Sequence, residues 1–276
     1  MWLVSFWLFP LVSACMWVAM LIAMLVTWVV VGKPHYASMD DGQNIAYISD
    51  VGAQGLKPLF VAGSVVTVVF LDLGIISERW LRHAGQLVPN KGKLDKACAI
   101  ASIFFAIAGA AGLILLSCFD TLRHPKLHDG FIALFIAGYV ISAILICVEY
   151  LRIGIFYRHQ HRVLLVSFWV KIAFIIVEVG LAIGFGVCKA SNSVAKKDPG
   201  AILEWAIAFV FTGYVLSFLI DLLPSVRTRH HLPQGHKNLE MAQGGSNGNS
   251  EGVSIEEPLT HDSMGPNSGF YRGQRV

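Results

Sequence analysis

Charge is what this chain has least of. Only 14% of its 276 residues are Asp, Glu, Lys or Arg, against about 25% in a typical soluble domain. With 55% hydrophobic residues and a mean hydropathy of +0.62, it is not built to face water on all sides. The common catalytic signatures are missing too. There is no P-loop, no dinucleotide-binding glycine fingerprint and no His-Glu-x-x-His metal helix. No Gly-x-Ser-x-Gly nucleophile elbow occurs. The motifs therefore support no enzyme and imply no cofactor. Neither an inverted repeat nor the paired broken helices of secondary transporters are evident. The net charge of +3 calls for no nucleic-acid partner. No Asn-x-Ser/Thr triplet is present, so N-glycosylation is not expected. The five cysteines, Cys15, Cys98, Cys118, Cys147 and Cys188, do not form a disulfide framework.

What the chain has instead is long apolar runs. A helix rises ~1.5 Å per residue, so ~20 apolar residues cross ~30 Å of hydrocarbon. Six runs qualify, at about 8–31, 58–77, 98–119, 130–151, 163–187 and 201–223. Backbone groups in lipid must be satisfied internally, which favours helices, and the runs lack the alternation of barrel strands. The expectation is an all-α integral membrane protein. Residues 1–224 form a six-helix transmembrane bundle, and 225–276 form a disordered cytosolic C-terminal tail rich in Gly, Ser, Asn and Pro. The first run has no basic flank and is too long for a cleaved leader, so it reads as a retained helix.

Lys and Arg near the membrane favour one side by ten to seven. The richer side holds Arg79, Arg82, Lys91, Lys93, Lys96, Arg152, Arg158, Arg162, Arg227 and Arg229. The positive-inside rule then places both termini in the cytosol. The loops holding Tyr47 and His124 become exoplasmic. Cytosolic basic residues attract anionic phospholipids at about 1 kcal/mol each, besides setting topology.

Several polar residues stand out against this background. Ile48–Gly52 reads as a turn, with Asp50 bonding nearby amides and Gly52 free to take positive φ. Two readings stay open for Asp50: fixing that turn, or presenting a carboxylate to a lipid head or partner. The segment Cys118–Gly130 gathers Asp120, His124, His128 and Asp129. These residue types can ligate zinc, but Pro125 interrupts a His pair at i and i+4. A hydrogen-bonded exoplasmic cap near Asp50 fits better, and no metal is assigned. Within the spans lie Asp72, Glu149, Lys171 and Glu178. Ionisable groups at such depth are costly and face the bundle interior. Lys171 and Asp72 share an inner-leaflet depth, so the expected pair is Asp72–Lys171, with Glu178 deeper. Snorkelling of Lys171, or a polar site for a headgroup, ion or proton, are the alternatives. Glu204 and Asp221 read as interfacial. Cys118 and Cys188 fall at exoplasmic helix ends, where one bridge is conceivable. Cys98 and Cys147 lie near the cytosolic face, where palmitoylation is conceivable. The small-residue run Ala106–Gly112 reads as close helix packing.

Taken together, GKP at 32–34, YISDVGA at 47–53, LKPLFVAG at 56–63, FDTxxHPxxH at 119–128 and EY at 149–150 resemble the DRAM/FRAG/SFK family of six-span membrane proteins. The resemblance runs to about residue 223 and is strongest to the fungal SFK branch; the tail matches nothing recognisable. It implies a six-helix fold with both termini cytosolic. For the SFK branch it implies plasma-membrane residence, support of phosphatidylinositol 4-kinase action, and roles in phospholipid asymmetry and sterol retention. Membrane lipids and a lipid-kinase complex at the cytosolic face are the implied partners. Relatives elsewhere in the family imply a lipid-remodelling protein or a vacuolar or endosomal autophagy modulator. The resemblance carries over no catalytic residue; its recurring polar positions fall on Asp50, His124 and His128.

Overall fold

The computed structural model describes residues 6–84, 87, 92–156, 162–191 and 193–228. All regular structure among them is helical: α1 (Leu8–Val30), α2 (Ile48–Gly52), α3 (Lys57–His83), α4 (Lys93–Cys118), α5 (Pro125–Phe156), α6 (Arg162–Lys189) and α7 (Lys197–Thr228), with a short 3-10 turn at Val194–Lys196. All except α2 are long and apolar enough to cross a membrane. The helices outrun their apolar stretches. α3 continues to His83, where Glu78, Arg79 and Arg82 find partners within the bundle, and α5 begins at Pro125. The tail beyond Thr228 and the loop residues Lys91 and Arg158 lie outside the described residues.

The six long helices close into a ring in chain order. α1 packs on α3, α3 on α4, α4 on α5, α5 on α6, α6 on α7, and α7 returns to α1. Three side chain-to-backbone bonds stitch the ring: Ser13 Oγ to Thr67 O, Trp17 Nε1 to Ala208 O, and Ser142 Oγ to Ser102 O, each 2.8 Å. Lipid gives apolar faces no reason to leave it, so bonds of this kind and close backbone approach supply the association. The run Ala106–Gly112 provides that approach. A Cβ on Gly112 would meet Phe135 N at 2.5 Å, and one on Gly138 would meet Gly109 N at 2.5 Å. Of the six spans, α6 is the least covered by its neighbours.

Segment 32–56 forms a cap riveted to the first turns of α7. Asp198 accepts from Asn44 N at 2.7 Å and Ile45 N at 2.9 Å. Trp205 Nε1 donates to Ala46 O at 3.0 Å, and Lys197 pairs with Asp40 at 2.7 Å. The expected turn at Ile48–Gly52 is instead a short helix, α2. Asp50 Oδ2 accepts from Tyr47 N at 3.0 Å and so caps it. Gly52 does not take positive φ; Gly32, Lys33 and Gly42 do. Gly52 is needed for space, since a Cβ there would lie 2.6 Å from the Phe60 ring.

Candidate functional site

The residues expected to gather at one exoplasmic site do not gather. Asp50 is buried and occupied: besides capping α2 it accepts from Gln43 Nε2 at 3.3 Å. It therefore presents no carboxylate outward. His128 is also buried, and its Nδ1 donates to Phe119 O at 2.8 Å and Leu116 O at 3.0 Å. That ties the end of α4 to the first turn of α5. His124 is exposed and stacks edge-on against Phe119. Asp129 is exposed and pairs with Lys189 of α6 at 3.2 Å. Asp120 pairs with Lys57 at 2.8 Å. Burial raises the Asp120 carboxyl, but the Lys57 hydrogen bond, the Arg123 amide and the two charges outweigh it and hold it below the usual range. Among the described residues, no three His, Cys, Asp or Glu side chains are placed to share a metal ion. Cys118 and Cys188 are both free thiols, so no bridge joins them. Cys98 and Cys147 are buried, so neither of these two thiols is exposed to carry a lipid chain.

The intramembrane charges pair differently from the depth-based expectation. Lys171 is fully buried and bonds Asp221 of α7 at 2.7 Å, not Asp72. Ser217 Oγ at 3.0 Å, Ser167, and the Phe218 ring at 4.2 Å complete its surroundings. Asp72 accepts instead from Tyr139 OH at 3.3 Å. Equal depth gave no information on azimuth: α6 touches α7 in the ring, whereas α3 lies beyond it. Glu149 meets Arg79 at 2.5 Å, and Arg152 meets Asp95 at 2.7 Å. Glu78 is fully buried, and holds Arg82 at 2.8 Å and Tyr150 OH at 2.5 Å. Arg79 and Arg82 are thus components of a buried network more than free topology signals. The i, i+4 spacing of Glu78 and Arg82 was legible in the sequence. The role of Asp221 was hidden because Pro224 suggested that the helix stops there, whereas α7 runs on to Thr228.

The opposite half of the ring encloses a small apolar recess. This recess of about 100 Å³ lies between the helices, lined mainly by aromatic and aliphatic side chains including Trp17, Phe135, Phe185 and Phe211. It shares Ile132, Ile136, Val140, Ala182 and Phe185 with a groove of about 600 Å³ between α5 and α6. Along α5 the groove extends from Asp129 to Val140. At ~1.5 Å per residue that is about 16 Å, or roughly one leaflet of a ~30 Å hydrocarbon core. The Asp129–Lys189 pair stands at its mouth, and Lys189 Nζ also lies 5.4 Å from the Tyr47 ring. Burial pushes the Tyr47 phenol above its usual range, and the Glu204, Asp50 and Asp40 carboxyls add to this.

Two carboxyl side chains interrupt the apolar wall of the recess, Glu178 on α6 and Glu204 on α7. Glu204 Oε2 accepts from Ile48 N at 2.7 Å, which ties the cap to the wall. Glu178 Oε1 is buried without a hydrogen-bond partner. Such an arrangement suits an elongated apolar molecule entering from the bilayer. Pockets of this kind combine an apolar lining with a few convergent polar groups.

Comparison with known proteins agrees with the architecture. Residues 5–225 match the model of the Frag1/DRAM/Sfk1/Cwh43P N-terminal domain. The chain is 32% identical over 225 residues to Protein sfk1 of Schizosaccharomyces pombe, covering 82% of this chain and 66% of the relative. It is 28% identical over 184 residues to Protein SFK1 of Saccharomyces cerevisiae, covering 56% of this chain and 52% of the relative. The chain thus spans less than two thirds of either relative's length. No solved structure matches. Six membrane-length helices closed in a ring and a family match over most of the chain lead to one conclusion: this multi-pass membrane protein belongs to the Frag1/DRAM/Sfk1/Cwh43 family, on its fungal SFK branch.

Proposed function

We propose that this protein is a non-enzymatic, lipid-regulatory scaffold of the plasma membrane that supports phosphatidylinositol 4-kinase action and phospholipid or sterol organisation. The bundle of residues 1–224 holds a lipid. The cytosolic face, with the tail of residues 225–276, engages anionic phospholipid and a lipid-kinase complex. In this reading both termini are cytosolic and the capped, groove-bearing half of the ring faces outward. The exposed His124 and Asp129, the latter paired with Lys189 at the groove mouth, meet headgroups there, while Asp50 and His128 hold the cap and the α4–α5 seam. One observation carries the reading: an apolar recess inside the ring shares the wall of Ile132, Ile136, Val140, Ala182 and Phe185 with a leaflet-long groove between α5 and α6.

The test uses cells lacking the protein and a fluorescent reporter of phosphatidylinositol 4-phosphate. Deletion lowers the plasma-membrane signal, and the intact chain restores it. Ala182→Trp fills space at a residue that lines both groove and recess, and is expected to reach the membrane without restoring the signal. Full restoration by this variant would refute the lipid-holding role. The lateral opening also favours a second reading, a lipid-moving protein. Transfer of labelled lipid between leaflets of vesicles containing the purified protein separates the two.

A further inference from the structure

Among the residues lining the recess, none is Lys, Arg or His; the only ionisable acids are Glu178 and Glu204, joined by the phenols of Tyr139 and Tyr214. The nearest cation at the groove, Lys189, is engaged with Asp129. The two tyrosines are not both available, because Tyr139 donates to Asp72. Glu204 is committed to the amide of Ile48. Glu178 is different. Its Oε1 is buried and has no partner, which is costly for a carboxyl in a medium that cannot hydrogen-bond. An anionic group placed beside it would find no cation in the lining to offset its own desolvation.

We propose that the recess selects an amphiphile whose headgroup donates hydrogen bonds, a hydroxyl or an ammonium, to Glu178, and rejects anionic phospholipids. This rests on the lipid-holding reading and adds the chemical class of the occupant. The donor satisfies the orphaned carboxyl oxygen, and the apolar body packs along the wall of Ile132, Ile136 and Phe185. Entry is through the α5–α6 groove, since α6 is the least covered helix. The recess is small: at ~30 Å³ per water-sized volume, 100 Å³ admits about three such groups. It therefore takes the polar end and its first few atoms, and the rest of the molecule remains in the groove.

The experiment uses the full chain in nanodiscs of neutral phosphatidylcholine. Three photoactivatable probes are compared: a sterol for the hydroxyl, a long-chain amine for the ammonium, and phosphatidylinositol 4-phosphate for the anion. Cross-linked peptides are mapped to α5, α6 and α7. The sterol or the amine is expected to label the recess, and the anionic probe is not. Glu178→Leu is expected to reduce labelling about tenfold or more, as for loss of a hydrogen bond to a charged group. The same variant should melt no lower than the parent, because Oε1 gives up no partner. Glu178→Gln, which keeps an acceptor, should retain labelling in part. Equal labelling by the anionic probe, or unchanged labelling in Glu178→Leu, overturns the inference but leaves lipid occupancy standing. A lower melting temperature in Glu178→Leu also overturns it, by exposing a structural partner. No labelling of the recess by any probe overturns both readings.

Discussion

Lys171→Met offers the sharpest check on how the charged half of the ring is held together. Lys171 and Asp221 have side-chain exposures of 0% and 3% and lie 2.7 Å apart. At an effective dielectric near 20, Coulomb's law gives an attraction of about 6 kcal/mol at that distance. Desolvation costs several kcal/mol per ion, so the pair as a whole is close to break-even. Removing one member is another matter, because Asp221 then stays buried beside Ser167 with no cation. That leaves a penalty of about 3–5 kcal/mol. At roughly 2–4 °C per kcal/mol for a chain of this size, the melting temperature should fall by roughly 6–20 °C. The double variant Lys171→Met/Asp221→Leu removes both charges and should recover most of that loss. The assay is thermal aggregation of the detergent-solubilised protein, followed by fluorescence-detected size exclusion. If the double variant melts at the sum of the two single losses, the pair is not the unit the structure describes. The swap Asp72→Lys/Lys171→Asp makes the complementary case: it should rescue nothing, because Asp72 faces Tyr139.

Two further predictions concern the seam between α4 and α5 and its outer end. Gly138→Val should cost about 3 kcal/mol or more, since its Cβ would strike backbone atoms of Gly109 that have no rotamer to yield, whereas Gly130→Ala meets nothing within 4 Å and should be neutral; yield of monodisperse protein reads both. Asp120 has its folded-state carboxyl held below the ordinary range by Lys57 and Arg123, so its contribution is present above the ordinary Asp value near 3.9 and is lost as pH falls through the lower folded value. The pair is partly exposed and worth within about 1 kcal/mol; the acid limb of stability should weaken in Lys57→Ala, and an unchanged limb would refute the assignment.

Much of the architecture was legible in the residues. Six apolar runs of membrane length leave helices as the economical fold, because backbone groups in hydrocarbon need partners within the segment. The Ala106–Gly112 run marked a close crossing, since only small side chains let backbones meet. Pro58 sits within the first turn of α3, where a missing amide proton costs nothing. The motif YISDVGA was visible, but its role was not. Whether Asp50 faces outward or caps α2 depends on where Gln43 and α7 come to rest.

The sequence by itself determined the number of spans, their positions along the chain and the scarcity of charge within them, because length and hydropathy are one-dimensional properties. It also displayed Asp72, Glu149, Lys171 and Glu178 as groups needing an explanation. The tertiary structure decided which of them meet. Consecutive packing sets α6 against α7, so Lys171 takes Asp221; side chains of α3 and α5 reach each other across the interior, which gives Asp72 to Tyr139 and Arg79 to Glu149. Partner choice depends on the angle at which a side chain leaves its helix and on the order of helices around the ring, and depth along the membrane normal contains neither. For the same reason the recess beside Glu178 could not be read in advance: a cavity is a property of several helices together, and no single helix records the space that its neighbours leave unfilled.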